Sequence, residues 1–214
     1  LAKKCLSFNK TVYDITRIGI WIISKIFFIF DVRITYLEKI PTSGSVILAP
    51  SHKSWLDIPL LTLLTKRYIY YVAKKSLFNI NKFIEWYFNS TGVIAIDREK
   101  KVKRNAINKI TKTLKEDKVV AIYPEGTRFK GEGIKELDNG IAYILFKHQI
   151  YPPIYPVVIT YQKGKLLGLP LKINIILGKK INTADYSNQE DLMSAIHNSL
   201  LELFNCLKSP INKE

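Results

Sequence analysis

The chain predicts an α/β fold: a mostly parallel central sheet flanked by helices, with an N-terminal interfacial helical element. Three observations lead there. Short β-branched apolar runs recur along the chain, helical patterns separate several of them, and no internal repeat, low-complexity tract or Pro/Gly/Ser-rich linker interrupts the sequence. Strands alternating with helices belong to a sheet covered on both faces. With 214 residues, 47% of them hydrophobic, the chain can build one sizeable core and is neither disordered nor a multi-span membrane protein.

The first element is the apolar stretch 18–30, with Arg17 before it, Lys25 inside it and Asp31 after it. It is too short and too charged for a clean bilayer span, which needs about 18 or more apolar residues, and it lacks the small-residue cleavage site of a signal peptide. An interfacial helix fits it, with Trp21 dipping into the headgroup boundary while Lys10, Arg17 and Lys25 stay at anionic phosphates. The plainer reading is an ordinary core helix. Residues 1–31 are thus expected to form a membrane-associating helical segment and 32–214 the α/β domain.

Strands are expected at 32–37, 46–49, 68–73, 93–96, 119–123, 154–160 and 173–177, where β-branched and aromatic residues cluster. Helices are expected at 55–65, 79–89, 100–117, 140–148 and 189–208, the last clearly amphipathic. Pro156 marks the 154–160 strand as an edge strand or a sharp strand entry.

Charge narrows the partners. The net charge is +15, and the stretch 66–118 holds fourteen Lys/Arg against five Asp/Glu. Such an excess points to an anionic partner: nucleic acid, an acidic membrane surface or a phosphorylated substrate. Cys5 and Cys206 lie at opposite ends of the chain, outside any Cys-x-x-Cys pair, so no structural zinc site is expected.

Three segments carry candidate chemistry. Strand 46–49 runs into Ser51-His52-Lys53-Ser54-Trp55-Leu56-Asp57. A His leaving the end of a buried strand, with an acid five positions on, is where an α/β enzyme places a general base. The plainer reading is a surface His beside a helix-capping Asp. Strand 93–96 delivers Asp97 and Arg98, and the planar guanidinium of Arg98 suits phosphate oxygens. Strand 119–123 ends in Pro124-Glu125-Gly126-Thr127-Arg128. There Gly126 permits a tight turn or a close ligand approach, Thr127 and Arg128 form an anion cradle, and Glu125 orients Arg128 or accepts a hydrogen bond from a ligand hydroxyl.

Taken in order, His52-x4-Asp57, Gly92–Arg98, Tyr123–Arg128 and Tyr155-Pro156-Val157 resemble the glycerolipid acyltransferases, closest to the 1-acyl-glycerol-3-phosphate acyltransferases. The resemblance runs from about residue 34 to 176. It implies that His52 and Asp57 are catalytic, and that Arg98, Glu125, Gly126, Thr127 and Arg128 bind the glycerol phosphate. It implies direct acyl transfer from acyl carrier protein or a coenzyme A thioester to a lysophospholipid, with no cofactor and no metal. It also implies a peripheral enzyme at an anionic membrane, on the cytoplasmic face of the inner membrane. Three details depart from the commonest pattern: Tyr123 stands where Phe is usual, Ala95 where a bulkier aromatic is frequent, and Leu137-Asp138-Asn139-Gly140 where many members have Phe-Lys-x-Gly. Other acceptors, glycerol 3-phosphate or a lyso-aminolipid, stay open. A basic protein binding membrane or nucleic acid without catalysis is the rival class, but no helix-turn-helix, zinc spacing or Arg-Gly tract supports nucleic acid.

Overall fold

The structure is a computed structural model that describes residues 8–26, 31–96, 100–163 and 170–208. The strands are β1 (Asp31–Tyr36), β2 (Val46–Pro50), β3 (Ile69–Lys74), β4 (Ile94–Ile96), β5 (Val119–Ala121), β6 (Ile154–Lys163) and β7 (Pro170–Leu177). Among the described residues they form one sheet in the order β1-β7-β6-β2-β5-β3-β4. The strands β6, β2, β5, β3 and β4 run parallel, while β7 is antiparallel to β6 and β1 parallel to β7.

The apolar runs follow from burial on two sides. Ile47 and Ala49 of β2 enter one core while Val46 and Leu48 enter the other. Because successive strand side chains alternate faces, a strand covered on both sides reads as a continuous apolar run. The first core is closed by α4 (Lys100–Lys115), α5 (Gly140–His148) and α6 (Gln189–Lys208), which contribute Ile110 and Leu114, Ile141 and Leu145, and Ile196, Leu200 and Leu203. The spacing of the α6 residues keeps them on one helical face. The second core is closed around α2 (Asp57–Leu61), by Leu60, Leu61 and Leu64, and by Phe78 and Phe88, the latter on α3 (Lys82–Ser90). Asn81 caps α3, its side chain accepting from the Ile84 N–H.

Helix α1 (Lys10–Ile26) begins before the apolar stretch and docks on this second side. Tyr13 is buried and its hydroxyl accepts from the Ile69 N–H at 3.1 Å, while the Tyr68 hydroxyl donates to Asp14 at 3.0 Å. The opposite face of α1 exposes Ile15, Ile18, Trp21 and Ile22. Residues 27–30 of the apolar stretch lie outside the described residues, and no described helix is long and apolar enough to cross a membrane.

Two expectations need correction. The helix after His52 spans only Asp57–Leu61, not 55–65. The Thr62 hydroxyl captures the Pro59 carbonyl at 2.6 Å, one of the local bonds that compete with helix continuation. The strand containing Pro156 is interior, between β7 and β2, and not an edge. The proline is tolerated because its missing N–H faces β7 before that ladder starts, the first β6–β7 pair being Val157 with Leu177. Its carbonyl still accepts from the Gly178 N–H at 2.9 Å.

Candidate active site

Beyond Pro50 the chain leaves the carboxyl edge of the sheet. Ser51 is pinned to β6: its N–H donates to the Val157 carbonyl at 2.8 Å, and its Oγ accepts from the Ile159 N–H at 3.3 Å. Next comes His52, with a side chain 15% exposed, and its Nδ1 lies 2.9 Å from Oδ2 of the wholly buried Asp57. The spacing works because the intervening segment winds around the carboxylate. Oδ2 also accepts from the backbone N–H groups of Lys53 at 2.7 Å and Ser54 at 2.8 Å, and Oδ1 accepts from the Tyr161 hydroxyl of β6. Donors converging on one buried carboxylate offset its desolvation. As the carboxylate only accepts, the shared hydrogen sits on Nδ1 and Nε2 keeps its lone pair.

Two tyrosines surround the pair. Burial, reinforced by the Asp57 charge and hydrogen bond, pushes the Tyr161 phenol far above its ordinary range, so it stays a donor. Tyr123 stacks beside the imidazole with ring centres 4.2 Å apart and planes tilted by 35°. Its hydroxyl is buried without a hydrogen-bond partner among the described residues, and burial, then the Asp57 charge, hold its proton on.

Loop 123–129 follows β5 and closes on the His52 backbone. Glu125 is 1% exposed, and its Oε1 accepts from the His52 N–H at 2.7 Å while Oε2 accepts from the Lys135 N–H at 3.2 Å. Among the described residues the carboxylate therefore braces backbone, with no hydrogen bond to Arg128. From the other side the Phe129 N–H donates to the His52 carbonyl at 2.8 Å. Both backbone groups of His52 are thus held by one loop.

Gly126 adopts φ +65°, and a Cβ there would stand 2.2 Å from Asp138 Oδ2. The close approach that this glycine permits is that of Asp138. The Thr127 N–H donates to the Glu125 carbonyl at 2.7 Å, and Lys135 Nζ lies 3.5 Å from Thr127 Oγ1. The exposed Arg128 guanidinium rests 4.1 Å above the Trp55 ring, which fixes its plane. Arg98, with Asp97, lies outside the described residues.

Sequence reasoning missed Tyr161, Lys53, Lys135 and Trp55. Lys53 donates its ammonium to the Gly131 carbonyl at 3.0 Å and to the Gly133 carbonyl, and lies 4.5 Å over the Phe129 ring. Partial burial lowers its pKa, opposed by the charges of Glu125 and Asp57. It ties the His52 segment to the loop that extends from Arg128. The side-chain contacts of Tyr161, Lys53 and Trp55 join positions more than seventy apart in sequence, and those of Lys135 span eight and ten positions across an irregular loop, so no local spacing announces them.

Residues 31–160 match the family model described as Acyltransferase, a span that holds both the His52–Asp57 pair and loop 123–129. The chain belongs to the acyltransferase family. Relatives of this acyltransferase include a 1-acyl-sn-glycerol-3-phosphate acyltransferase of Bacillus subtilis, 29% identical over 160 residues, covering 73% of this chain and 77% of the relative. A protein of the same description from Helicobacter pylori is 35% identical over 127 residues, covering 58% of this chain and 52% of the relative. Another from Streptococcus pneumoniae is 27% identical over 158 residues, covering 72% and 57%. This chain therefore spans little more than half the length of the latter two. The crystal structure of the 1-acyl-sn-glycerophosphate acyltransferase of Thermotoga maritima shares the fold, with a TM-score of 0.74 at 23% identity, covering 94% of this acyltransferase and 81% of that chain.

Proposed function

We propose that this acyltransferase moves a fatty acyl chain from acyl carrier protein or coenzyme A to the free hydroxyl of 1-acyl-glycerol 3-phosphate, giving phosphatidic acid. The observation that carries this reading is His52 held by the buried Asp57 through Nδ1, which leaves Nε2 without a hydrogen-bond partner among the described residues, with Thr127, Arg128 and Lys135 on the adjoining loop. His52 Nε2 takes the proton of the acceptor hydroxyl. The oxygen attacks the thioester carbonyl, the C–S bond breaks, and the proton passes to the leaving thiolate. Asp57 keeps the imidazole in the useful tautomer and stabilises the imidazolium, as the acid does in serine hydrolase triads. No acyl-enzyme forms. A positioned base contributes about 10²–10⁴-fold, and orientation of hydroxyl against thioester supplies up to about 7–11 kcal/mol. Arg128 serves that orientation by gripping the phosphate, joined by Lys135 and, from the second motif, Arg98. Gly126 and Glu125 shape the loop that presents them.

The relatives' descriptions as 1-acyl-sn-glycerol-3-phosphate acyltransferases support the acceptor. One observation favours a second acceptor. Asp138 places a carboxylate against Gly126, where many family members have a lysine, and that negative charge suits a lyso-aminolipid headgroup better than a bare phosphate. Because such acceptors reside in bilayers, we also place the enzyme at an anionic membrane surface, with the exposed apolar face of α1 toward lipid.

The test is mass spectrometry of products formed by pure protein from lysophosphatidic acid, glycerol 3-phosphate and a lyso-aminolipid, each with acyl carrier protein and coenzyme A thioesters. Phosphatidic acid from the wild type, and none from a folded His52→Ala variant, is expected. Normal turnover by that variant would end the general-base reading.

A further inference from the structure

We propose that α3 is a second membrane foot, acting beside α1 and set on the same rim of the sheet as His52. The proposal rests on placing this enzyme at an anionic bilayer, and it names the surface that would make contact.

Apolar side chains are exposed on α3 and on the turn that leads into it. Phe83 is 69% exposed, Ile80 56% and Trp86 42%. Phe83 and Trp86 lie three residues apart on one helical face with ring centres 5.8 Å apart, and Phe83 stacks on Tyr87 at 6.5 Å. Three large side chains in one short stretch are costly in water, and Trp suits the headgroup boundary because its body is apolar and its N–H is polar.

Adjacent contacts link this group to α1. The Tyr87 hydroxyl donates to Thr16 Oγ1 at 3.3 Å, and the Asn9 N–H donates to the Ser90 carbonyl at 2.7 Å. The end of α3 thus meets the first half of α1. Topology then fixes the direction of α3. β3 runs parallel to β5, and β5 to β2, so the chain leaving β3 toward Ile80 and Phe83 departs from the edge where His52 leaves β2. Helix α1 keeps to the opposite edge: Arg17 donates to the Lys66 carbonyl, ahead of β3, at 3.0 Å, and Ile18 and Trp21 border a recess with Thr65 and with Tyr36 at the end of β1. The early residues of α3 therefore lie on the rim that holds the candidate active site, while the exposed face of α1 lies toward the other edge of the same side of the sheet.

Charge commits the occupant. Lys74 and Lys82 are exposed on either side of Ile80, against the single exposed acid Glu85 on α3, and the chain carries +15 overall. Apolar side chains rimmed by lysines match an anionic lipid surface, where headgroup phosphates meet the ammonium groups and acyl chains receive the rings. Docked on both feet, the enzyme would present His52 to a lipid hydroxyl without lifting the acceptor far from the bilayer.

The test uses the full chain in two single-tryptophan forms. Trp21→Phe/Trp55→Phe leaves Trp86 as reporter, and Trp55→Phe/Trp86→Phe leaves Trp21. Each is titrated with phosphatidylglycerol vesicles containing chain-brominated phosphatidylcholine, with no acyl substrate present. Quenching of both reporters is expected. The variant Phe83→Ser/Trp86→Ser is expected to keep the wild-type melting temperature and to partition roughly ten-fold less onto the vesicles, from the apolar area withdrawn. Vesicle binding with Trp21 quenched and Trp86 untouched would overturn the role of α3 while leaving membrane docking intact. Wild-type partition by the folded double variant would do the same. Absence of any vesicle binding by the wild type would overturn the membrane reading and this inference together.

Discussion

Replacing Glu125 by Gln separates a brace from a ligand. The carboxylate of Glu125 is buried and its two oxygens each accept a backbone N–H, from His52 at 2.7 Å and Lys135 at 3.2 Å. Glutamine has nearly the same shape but offers one oxygen and one NH₂ group. Whichever way the amide turns, its NH₂ faces an N–H. The oxygen keeps the shorter bond to His52, and the Lys135 N–H loses its acceptor. A hydrogen bond to a charged group is worth about 1.5–3 kcal/mol, and a buried donor left unpaired costs a similar amount. The expected loss is about 2–3 kcal/mol, which lowers the melting temperature by roughly 4–12 °C in a domain of this size. Glu125→Ala frees both N–H groups and lets the His52 backbone drift. Since a displacement of about 1 Å costs about 10²-fold in rate, kcat is expected to fall about ten-fold in the Gln variant and about a hundred-fold in the Ala variant. Calorimetry and acyl-transfer kinetics on the three proteins decide it. An E125Q protein with wild-type melting temperature and a raised KM for the acceptor alone would refute the brace, and would assign the carboxylate to a substrate hydroxyl.

Three further outcomes are expected. Asp57→Asn must turn an NH₂ toward donors on one side, so kcat should fall about 10²–10⁴-fold with acceptor KM little changed, and steady-state kinetics on the folded variant measure this. Tyr123→Phe removes a buried hydroxyl with no partner among the described residues, so it should raise stability by about 1 kcal/mol without loss of turnover. Urea unfolding checks the gain, and a destabilised variant would mean that the hydroxyl is bonded. Tyr13 is pushed up from 10.0 to about 12, first by burial. Between pH 10 and 12 the unfolded chain loses this proton while the folded chain keeps it, so stability should fall by about 3 kcal/mol as pH rises through that window. A Tyr13→Phe variant should show a shallower fall in urea midpoint over the same range.

What was legible in the sequence was what is local. The runs around Val46 and Val119 read as strands because two-sided burial leaves no polar position in them, and α6 and α5 were legible to the residue from their apolar spacing. The closeness of His52 to Asp57 was legible because one short segment spans it. The Glu125 brace was not, because the contact it makes joins positions 73 apart, and a Pro-Glu-Gly-Thr-Arg loop reads equally well as a ligand cradle. Tyr161 reaches Asp57 across 104 positions, from a strand whose pattern shows only that it is buried. Pro156 misled because a proline says which N–H is missing and not on which side of the strand a neighbour begins.

The winding of residues 53–56 about a single oxygen has a consequence for how this motif can vary. Asp57 Oδ2 reaches the amides of both Lys53 and Ser54 as well as the imidazole, so the acid shapes the very bend that carries its base. The count of four intervening residues is therefore a length of cord cut to fit one spool. The bend uses the backbone of these residues, so adding or removing one would unwind it, and acetate supplied from solution to an Asp57→Gly protein would return the charge without rewinding the chain.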